Sequence, residues 1–460
     1  MNFKNFNPIR FQEWKTQAIK DIKGMSYDEK LLWETFHGIT GEAYYNNENS
    51  IQLDIPVWNI NNKWNIAQHF KIENEKTSNE AILKALNSGV EKICVEIINE
   101  NVDFEILFND VLLPYIYIEI KAVKNIQHIS ESFIKYAQSK NYPLENLEGC
   151  FNYDVLQYCI ANGDFHDTAP FVEMEALIQK TDKYLPKFSC IGIQSDYYAA
   201  CGASCIQELA YGLAHFHEYI HRMSDLGLDP EKIVRKISFY ISIGEDYFIE
   251  IAKIRALRYL LQNILRNYSI ENISINLHAI CSSNTLSNFD TYNNVLRLTT
   301  QAMSAILGGV NSCEIPNFSL QTNNDFTNRI SANIQHILRD ESNFEQAINA
   351  AEGSYYIDYL CTEIIKKSWG KFVDIENIGG YLYAIKNNII QDEIEQQQNK
   401  LSNIINNNKI WKLGVNKFPN ANDKQITFET EIKKANGDFC KALHPFNPYV
   451  SIELERNNSI

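Results

Sequence analysis

One segment of the chain has the residue types and spacing of a zinc hydrolase motif. His217-Glu218-Tyr219-Ile220-His221 is an HExxH sequence. On a helix this spacing puts both imidazoles on one side, where they could hold Zn²⁺ while Glu218 acts as the general base. Glu245 and Glu250 follow as candidate third ligands. A metal-dependent hydrolase is therefore one hypothesis for this chain.

The helix that carries the motif also supports a structural interpretation. At 100° per residue, His217 falls inside the apolar stripe of this helix. That stripe is formed by Ile206, Leu209, Ala210, Leu213 and Ile220. We therefore expect His217 to be a hydrogen-bonded histidine packed against the rest of the fold, and we expect no metal to be bound.

The other metal-binding residue types are scattered along the chain. His37, His69 and His166 stand alone, and the ten cysteines include no CxxC pair. Cys201 and Cys205 lie four residues apart in a helical run, but that spacing makes no metal site without a second pair. Buried, reduced thiols in a cytoplasmic protein are the expectation.

Composition narrows the class of partner. The chain has 460 residues, 45% of them hydrophobic, with a net charge of −15. An acidic chain repels nucleic acid and anionic membranes, so we expect neither as a partner. Coenzyme A remains possible, since its phosphates require only a local basic rim. The N-terminus lacks the apolar run of a signal peptide, and no apolar stretch is long enough to span a membrane.

Hydrophobic patterning predicts a parallel α/β fold. Short β-branched and aromatic runs alternate with helical stretches such as Tyr247 to Arg266 and Tyr292 to Ile306. No Gly-rich phosphate turn follows the first run, which favours a TIM-type (β/α)8 barrel with one strand unseen. Gly308-Gly309 is expected to form a helix-to-strand turn. The seven visible runs are Lys92 to Ile98, Tyr115 to Ile120, Cys150 to Tyr153, Phe188 to Gln194, Ile237 to Ile243, Ile273 to Ile280 and Val310 to Ile315.

The barrel is expected to have extensions at both ends. Residues 1–50 form a predicted N-terminal helical arm for subunit contact, and residues 51–418 form the barrel with a short C-terminal helical extension. Residues 419–460 form a polar tail. Within these parts we predict helices over Phe11 to Ile22, Tyr27 to Phe36 and Asp374 to Asn408, and an extended piece over Ile410 to Phe418.

Several segments resemble the methylmalonyl-CoA mutase family, in the family's order. They span roughly residues 30 to 420, and so many ordered matches do not arise by chance. The matching segments are WETFHGI (residues 33–39), GASCIQELAYGLA (202–214), ISIGEDYFIEIAKIRALR (241–258), YNNVLRLTTQAMSAILGGVNS (292–312), EGSYYIDYLCTEI (352–364) and GVNKF (414–418).

The resemblance implies a fold and a chemistry. The family has a TIM-type barrel whose interior admits the pantetheine of an acyl-CoA. Its activity is the radical rearrangement of (R)-methylmalonyl-CoA and succinyl-CoA. A separate domain binds adenosylcobalamin through an Asp-x-His-x-x-Gly motif. The nearest match here is Asp164 to Ala169, in which Ala replaces the Gly, and we interpret it as coincidence.

This chain departs from the family where the chemistry requires particular residues. Catalytic members carry Gly-Tyr-His after the strand that ends in IGIQ, and the Tyr and His positions fall on Asp196 and Tyr197. A carboxylate beside a dianionic substrate would have to be protonated or paired. The family's Gln and Arg at the next site fall on Asn152 and Asn162. Losing an Arg fork removes the natural clamp for a substrate carboxylate.

Further departures occur in other strands. The family's Gln at the last strand becomes Asn311, and the following His becomes Glu314. The early strand and loop, usually Phe-Asp-Leu-Pro-Thr, read VEIINEN over Val95 to Asn101. Asp154 and Gln207 remain as candidates for the barrel interior.

These observations favour a non-catalytic small subunit. It would form a heterodimer with a methylmalonyl-CoA mutase large subunit that carries adenosylcobalamin, and it would bind no cofactor itself. The sequence does not determine whether an acyl-CoA enters its barrel. Two alternatives remain: an acyl-CoA mutase of changed substrate choice that uses cobalamin on a separate protein, and the HExxH zinc hydrolase.

Overall fold

Eight parallel strands form a closed barrel in the computed structural model. It describes residues 9–57, 61–122, 124–167, 169–271, 273–407, 409–426 and 437–459. Going around the barrel, the order is β10-β3-β4-β5-β6-β7-β8-β9. The strands are β3 (Asn65–Ile72), β4 (Lys92–Ile97), β5 (Tyr117–Lys121), β6 (Glu148–Tyr153), β7 (Phe188–Gln194), β8 (Ile237–Ile243), β9 (Asn276–Cys281) and β10 (Ser312–Glu314).

Pairing of the first barrel strand with the last closes the barrel. Ser312 of β10 lies beside Asn65 of β3 and beside His278 of β9. The predicted TIM-type barrel is therefore confirmed. The strand that the sequence did not reveal is β3, and the other seven fall on the predicted runs with small shifts at their ends.

Helices connect successive strands and cover the barrel. Gly309, at a φ of 89°, ends the helix before β10, so the Gly-Gly pair forms the expected turn. The helices of this layer are α3 (Glu75–Asn87), α4 (Phe104–Leu107), α5 (Ile126–Ser139), α6 (Val155–Asn162), α7 (Pro170–Tyr184), α8 (Asp196–Ala200), α9 (Cys205–Asp225), α10 (Pro230–Arg235), α11 (Tyr247–Asn267), α12 (Asn293–Gly308) and α13 (Asp325–His336).

Strand alternation separates an apolar outer surface from a polar interior. In β4 and β5, the outward residues Ile93, Val95, Ile118 and Ile120 are fully buried in the main core. Successive strand residues point to opposite faces, so Lys92, Cys94, Tyr117 and Glu119 point inward. The helices are thus held by apolar packing, while the barrel axis receives polar side chains.

The described part of the arm folds onto the barrel of its own chain. Helices α1 (Phe11–Asp21) and α2 (Tyr27–Leu31) precede a hairpin of β1 (Leu32–Glu34) and β2 (Thr40–Glu42). The prediction of a helix from Tyr27 to Phe36 is therefore wrong after Leu31. The chain forms a hairpin here and not a helix, because Trp33 pairs with Gly41 and packs against Tyr356.

The C-terminal part is helical and ends in a segment that crosses the barrel. Helices α14 (Tyr355–Asn377), α15 (Gly380–Lys386) and α16 (Ile389–Asn406) cover the predicted helical extension, and α17 (Val450–Ser459) lies in the predicted polar tail. The expected extended piece from Ile410 to Phe418 is wrong: it consists of turns with one bridge between Leu413 and Lys417. Among the described residues, none of the helices has the length and apolar character needed to cross a membrane.

Candidate functional site

The axis of the barrel is filled by side chains from opposite walls. β4 faces β8 across the barrel, and β5 faces β9. The Lys92 ammonium of β4 lies 5.5 Å from the ring centre of Tyr240 on β8. Asn276 of β9 donates to the Tyr117 hydroxyl of β5 at 3.4 Å. Contacts of this length leave no continuous channel at these levels.

A buried ion pair organises this interior. Lys92 Nζ lies 2.7 Å from Glu119 Oε2, and both residues are buried. Burial raises the pKa of Glu119, but the Lys92 ammonium and further hydrogen bonds outweigh it and lower that pKa to about 2. Glu119 is therefore ionised at neutral pH.

Hydrogen bonds extend the pair into a network. Asn152 Nδ2 donates to Glu119 Oε1 at 2.7 Å, and Cys94 Sγ donates to Glu119 Oε2 at 3.7 Å. His278 Nδ1 shares a 2.7 Å hydrogen bond with the Ser312 hydroxyl. The His278 Nε2 atom lies 3.6 Å from Glu314 Oε2. Together these side chains tie five strands of the barrel to each other.

Asn152 and Asn162 lie in different environments. Asn152 points into the network. Its side chain also lies close to β7, because a Cβ on Gly192 would be only 1.9 Å from Asn152 Oδ1. Asn162 is exposed at the end of α6, where its side chain donates to the Tyr158 carbonyl at 2.9 Å. The position of the family's Arg therefore brings no charge to the barrel here.

Asp196 and Tyr197 begin the short helix after β7. Asp196 Oδ1 is buried without a hydrogen-bond partner. Burial, helped by the charges of Glu208 and Glu314 and opposed by Lys121, raises the pKa of Asp196 to about 7. The Tyr197 hydroxyl donates to the Leu443 carbonyl at 2.7 Å. It is therefore engaged with the C-terminal segment of its own chain.

Asn311 immediately precedes the last strand, and Glu314 ends it. The Asn311 side chain accepts from the Leu277 amide at 2.9 Å, at the amino-terminal end of β10. Glu314 is the final residue of β10, near His278. The residues substituted relative to the family therefore do not form one cluster.

Asp154 is held in a closed set of hydrogen bonds at the start of α6. Its Oδ1 contacts His215 Nε2 at 2.9 Å and accepts from the Tyr219 hydroxyl at 2.7 Å, and its Oδ2 accepts from the Gln194 amide at 3.1 Å. Burial raises its pKa, but His215 and these donors lower it below the ordinary value. Both neighbouring side chains lie on α9, so Asp154 ties that outer helix to the barrel.

Gln207 and Glu208 have structural contacts on α9. Gln207 forms a capping box with Ser204 and donates to the Glu393 carbonyl at 3.3 Å, so it lies outside the barrel interior. Glu208 accepts from Lys253 Nζ at 2.8 Å and from the Ser242 amide at 2.8 Å. Glu208 therefore anchors α9 to the end of β8 through buried charge as well as through its place in the first helical turn.

The carboxyl-terminal end of the barrel is crossed by residues 437–453, which we call the strap. Its amides at Leu443 and Phe446 donate to the carbonyls of Ile160 and Ala200, each at 2.8 Å. Tyr449 donates to Glu245 Oε1 at 2.6 Å. These partners belong to the α6 region and to the segments after β7 and β8. The end of the barrel where TIM-barrel enzymes place their catalytic groups is therefore covered.

One cavity at this end of the barrel lies beyond the ends of the strands. A cavity of about 420 Å³ is bounded by the β1–β2 hairpin, the loops after β8 and β9, and the strap. None of its lining residues lies on a barrel strand. Between Lys121, Asn152 and Gln194 the space is only about 10 Å³, which is the size of a single water.

The HExxH residues do not converge on a common point. His217 Nδ1 contacts Glu376 Oε2 at 2.9 Å, which confirms a hydrogen-bonded histidine, although its partner lies on α14 and not on the barrel. Glu218 accepts from Arg222 at 2.8 Å, and His221 is exposed beside Asp225. Each residue of the motif thus has its own structural neighbour.

The segment resembling a cobalamin motif does not fit that cofactor. His166, the histidine of this segment, has a buried side chain whose Nε2 contacts the Tyr153 hydroxyl at 2.8 Å and Glu173 at 3.5 Å. Thr168 of this segment lies outside the described residues. An imidazole held in this way cannot reach a corrin ring, so the residues present offer no cobalamin ligand at this position.

The polar interior was not found from the sequence. Lys92, Cys94, Glu119 and His278 were all within or next to predicted strands, but none was selected as a site residue. Their signal is polar side chains at alternating positions of otherwise apolar strands. Which of them meet depends on the register of β4, β5 and β9, and that is visible only in the fold.

Fold and site together define a TIM-barrel protein whose axis is filled with a charged, hydrogen-bonded network. Comparison of its sequence with known families defines the class further. The family profile described as methylmalonyl-CoA mutase matches residues 95–438. The chain belongs to the methylmalonyl-CoA mutase family.

Individual relatives agree with this assignment. The chain is 28% identical to a methylmalonyl-CoA mutase small subunit of Porphyromonas gingivalis, over 97% of this chain and 75% of that subunit. It is 26% identical to a methylmalonyl-CoA mutase of Cereibacter sphaeroides, over 90% of this chain and 65% of that protein. It is 25% identical to a methylmalonyl-CoA mutase large subunit of Streptomyces virginiae, over 90% of this chain and 63% of that protein. The chain thus spans under two thirds of the length of the latter two relatives.

Proposed function

We propose that this chain is the non-catalytic small subunit of a heterodimeric methylmalonyl-CoA mutase. Isomerisation of (R)-methylmalonyl-CoA and succinyl-CoA would take place in a large partner chain that carries adenosylcobalamin. The observation that carries the proposal is the filled barrel axis, where Lys92 meets Tyr240 and Tyr117 meets Asn276 from opposite walls.

The filled axis supports the inference that this barrel does not hold a substrate in the family's way. An acyl-CoA that threads the barrel needs a continuous channel, and opening one here would separate Lys92 from Glu119. Leaving either charge buried and unpaired costs about 3–5 kcal/mol. We therefore infer that no acyl-CoA enters this barrel.

The charges at the carboxyl-terminal end support the same proposal. Lys121 is a cation close to this end, but its ammonium donates to Gln194 Oε1 at 2.7 Å. The carboxylates of Glu96 and Asp196 are near enough to interact with it electrostatically, and the carboxylate of Glu314 is near enough to interact with Asp196. A dianionic acyl group would meet this excess of negative charge, and exposed Asn162 offers no compensating cation.

The small subunit's role would be to stabilise the large chain by burying surface. The arm, residues 1–50, is the proposed contact region, because it presents partly exposed aromatic side chains such as Trp33 and Tyr44. The relatives include a chain named as a small subunit and a chain named as a large subunit, which supports a two-chain enzyme. Ten buried free cysteines support a reducing, cytoplasmic location.

Co-expression with a methylmalonyl-CoA mutase large chain tests the proposal. We expect a 1:1 complex, mutase activity with adenosylcobalamin in the complex, and none with this chain alone. Titration of this chain with succinyl-CoA should give no binding heat, whereas the complex should bind it. Activity of this chain supplied with a separate cobalamin-binding protein would contradict the proposal, and so would failure to bind the large chain.

A further inference from the structure

Three side chains that could bind a metal meet inside the barrel. Cys94 of β4, Glu119 of β5 and His278 of β9 are all buried, and their ligand atoms lie within 4.8 Å of one another. They come from opposite walls of the barrel. Among the described residues this is the group of three that could hold a metal ion.

One spacing within the group fits tetrahedral coordination. Metal bonds of about 2.0–2.3 Å place neighbouring ligand atoms of a tetrahedron roughly 3.3–3.7 Å apart. Cys94 Sγ lies 3.7 Å from Glu119 Oε2. Glu314 Oε2 lies 3.6 Å from His278 Nε2 but is not among the ligand atoms that all lie within 4.8 Å of one another, so Glu314 is a charged neighbour of the group.

Neighbouring side chains would orient these ligands. If His278 Nδ1 donates its 2.7 Å hydrogen bond to Ser312 Oγ, then Nε2 carries the free lone pair. Asn152 Nδ2 donates to Glu119 Oε1 at 2.7 Å and leaves Oε2 facing the group. Both hydrogen bonds are the kind of outer contact that fixes ligands at metal sites.

The charges also balance. The Glu119 carboxylate, the neighbouring Glu314 carboxylate and the Cys94 thiolate carry three negative charges, the Lys92 ammonium supplies one positive charge, and a divalent cation supplies the other two. A buried site is stable when its charges are paired and hydrogen-bonded. Lys92 Nζ, 2.7 Å from Glu119 Oε2, would remain as the counter-ion.

We propose that the barrel binds one divalent metal ion, zinc by the chemistry of its ligands, between Cys94, Glu119 and His278. A sulfur, a nitrogen and a carboxylate oxygen are ligands typical of zinc. The three strands involved include opposite walls of the barrel, so the ion is structural. When it binds, the Cys94 thiol loses its proton to solvent, and the sulfur–metal bond replaces the S–H bond.

Metal content and cobalt spectroscopy of the full chain test the proposal. We expect about one zinc per chain by elemental analysis after purification. With Co²⁺ in place of Zn²⁺, the unmodified chain should show the strong visible bands of a tetrahedral site and a thiolate-to-cobalt charge-transfer band. A chain that takes up neither zinc nor cobalt would overturn the proposal.

Matched variants assign the metal to these residues. Cys94→Ser should abolish the charge-transfer band, whereas Cys190→Ser, at another buried strand cysteine, should retain it. Ser312→Ala should weaken cobalt affinity about 10- to 100-fold. His221→Ala should leave metal content unchanged. Loss of the metal in His221→Ala, or a charge-transfer band that survives Cys94→Ser, would overturn the assignment.

Discussion

A buried carboxyl group at the end of β7 makes stability depend on pH. Asp196 has a pKa raised from 3.8 to about 7, mainly by burial. The folded state therefore binds this proton more tightly than the unfolded state does. The stabilisation it gives is fully present below about pH 4 and is lost as the pH rises through 7.

Replacing Asp196 with an amide should remove this dependence. We expect Asp196→Asn to match the wild type near pH 4 and to be more stable by about 1–3 kcal/mol at pH 8. Urea unfolding at several pH values measures the difference in the free energy of unfolding between this variant and the wild type. Glu34→Gln, at an exposed carboxylate, serves as the control and should follow the wild type. A difference that does not grow between pH 4 and 7 would contradict the prediction.

Removing one partner of the Lys92–Glu119 pair should lower the free energy of unfolding strongly, whereas replacing both should lower it much less. Lys92→Met leaves the Glu119 carboxylate buried without its cation and should lower the free energy of unfolding by about 3–5 kcal/mol. The double variant Lys92→Met/Glu119→Gln should recover a large part of that loss. Unfolding in urea with a chelator present separates this effect from metal binding.

A control for this pair is available on the surface. Lys84 and Asp325 form an exposed ion pair at 2.8 Å. Lys84→Met should cause no measurable change, since exposed pairs are screened by solvent. Equal losses in Lys92→Met and in the double variant would show that packing, and not the unpaired charge, determines the cost.

At the level of elements, the close contact between β6 and β7 depends on the absence of a side chain at Gly192. A Cβ at Gly192 would lie 1.9 Å from Asn152 Oδ1, and Asn152 is fixed by its hydrogen bond to Glu119. Gly192→Ala should therefore lower the free energy of unfolding by about 1–3 kcal/mol. Adding Asn152→Ala should offset part of the loss, because the clashing oxygen is then absent. Thermal and urea unfolding measure both variants.

Gly370 offers the matched comparison. It lies inside α14, and a Cβ there would meet nothing within 4 Å. Gly370→Ala should therefore stabilise the chain by roughly 0.5–1 kcal/mol through helix propensity alone. If Gly192→Ala behaves in the same way, the close approach of β6 to β7 is not what constrains this position.

The sequence predicted the barrel and the order of its strands, because most of the strands can be recognised from their local hydrophobic pattern. Strands such as Ile237–Ile243 are buried on both faces and read as continuous apolar runs. Strand β3 was missed because NIAQHFKI is only half buried and carries polar residues along its length. The hairpin of Leu32–Glu34 was missed because its pairing depends on contacts with α14, which is far away in the sequence.

The site was predicted less well than the fold. Asn152 lies in the interior, but Gln207 and Asn162 do not, because an alignment to a family gives positions and not directions. The network of Lys92, Glu119 and His278 joins residues up to 186 positions apart, from Lys92 to His278. No local pattern in the sequence contains such a contact.

At the scale of the whole molecule, assembly should depend on the arm. Trp33 is 40% exposed and Tyr44 is 39% exposed. We expect Trp33→Ser/Tyr44→Ser to weaken binding to the large chain by about tenfold or more, as loss of aromatic anchors does at protein interfaces. Affinity measured by titration against the purified large chain gives the result.

Tyr115 provides the control for this prediction. It is 83% exposed and lies before β5, at the amino-terminal end of the barrel. Tyr115→Ser should leave the affinity unchanged. Equal weakening by both sets of substitutions, or no weakening by the arm variant, would remove the arm from the interface.

Closure of the barrel between β3 and β10 also constrains how the chain is made. Asn65 and Ser312 pair directly, yet they lie 247 positions apart in the sequence. At about 5–20 residues per second, a ribosome needs roughly 10–50 s to reach the second partner after the first. Throughout that time the free edge of β3 is open to other nascent chains. The strap follows β10 in the sequence, so the barrel is covered only after its last strand has been made.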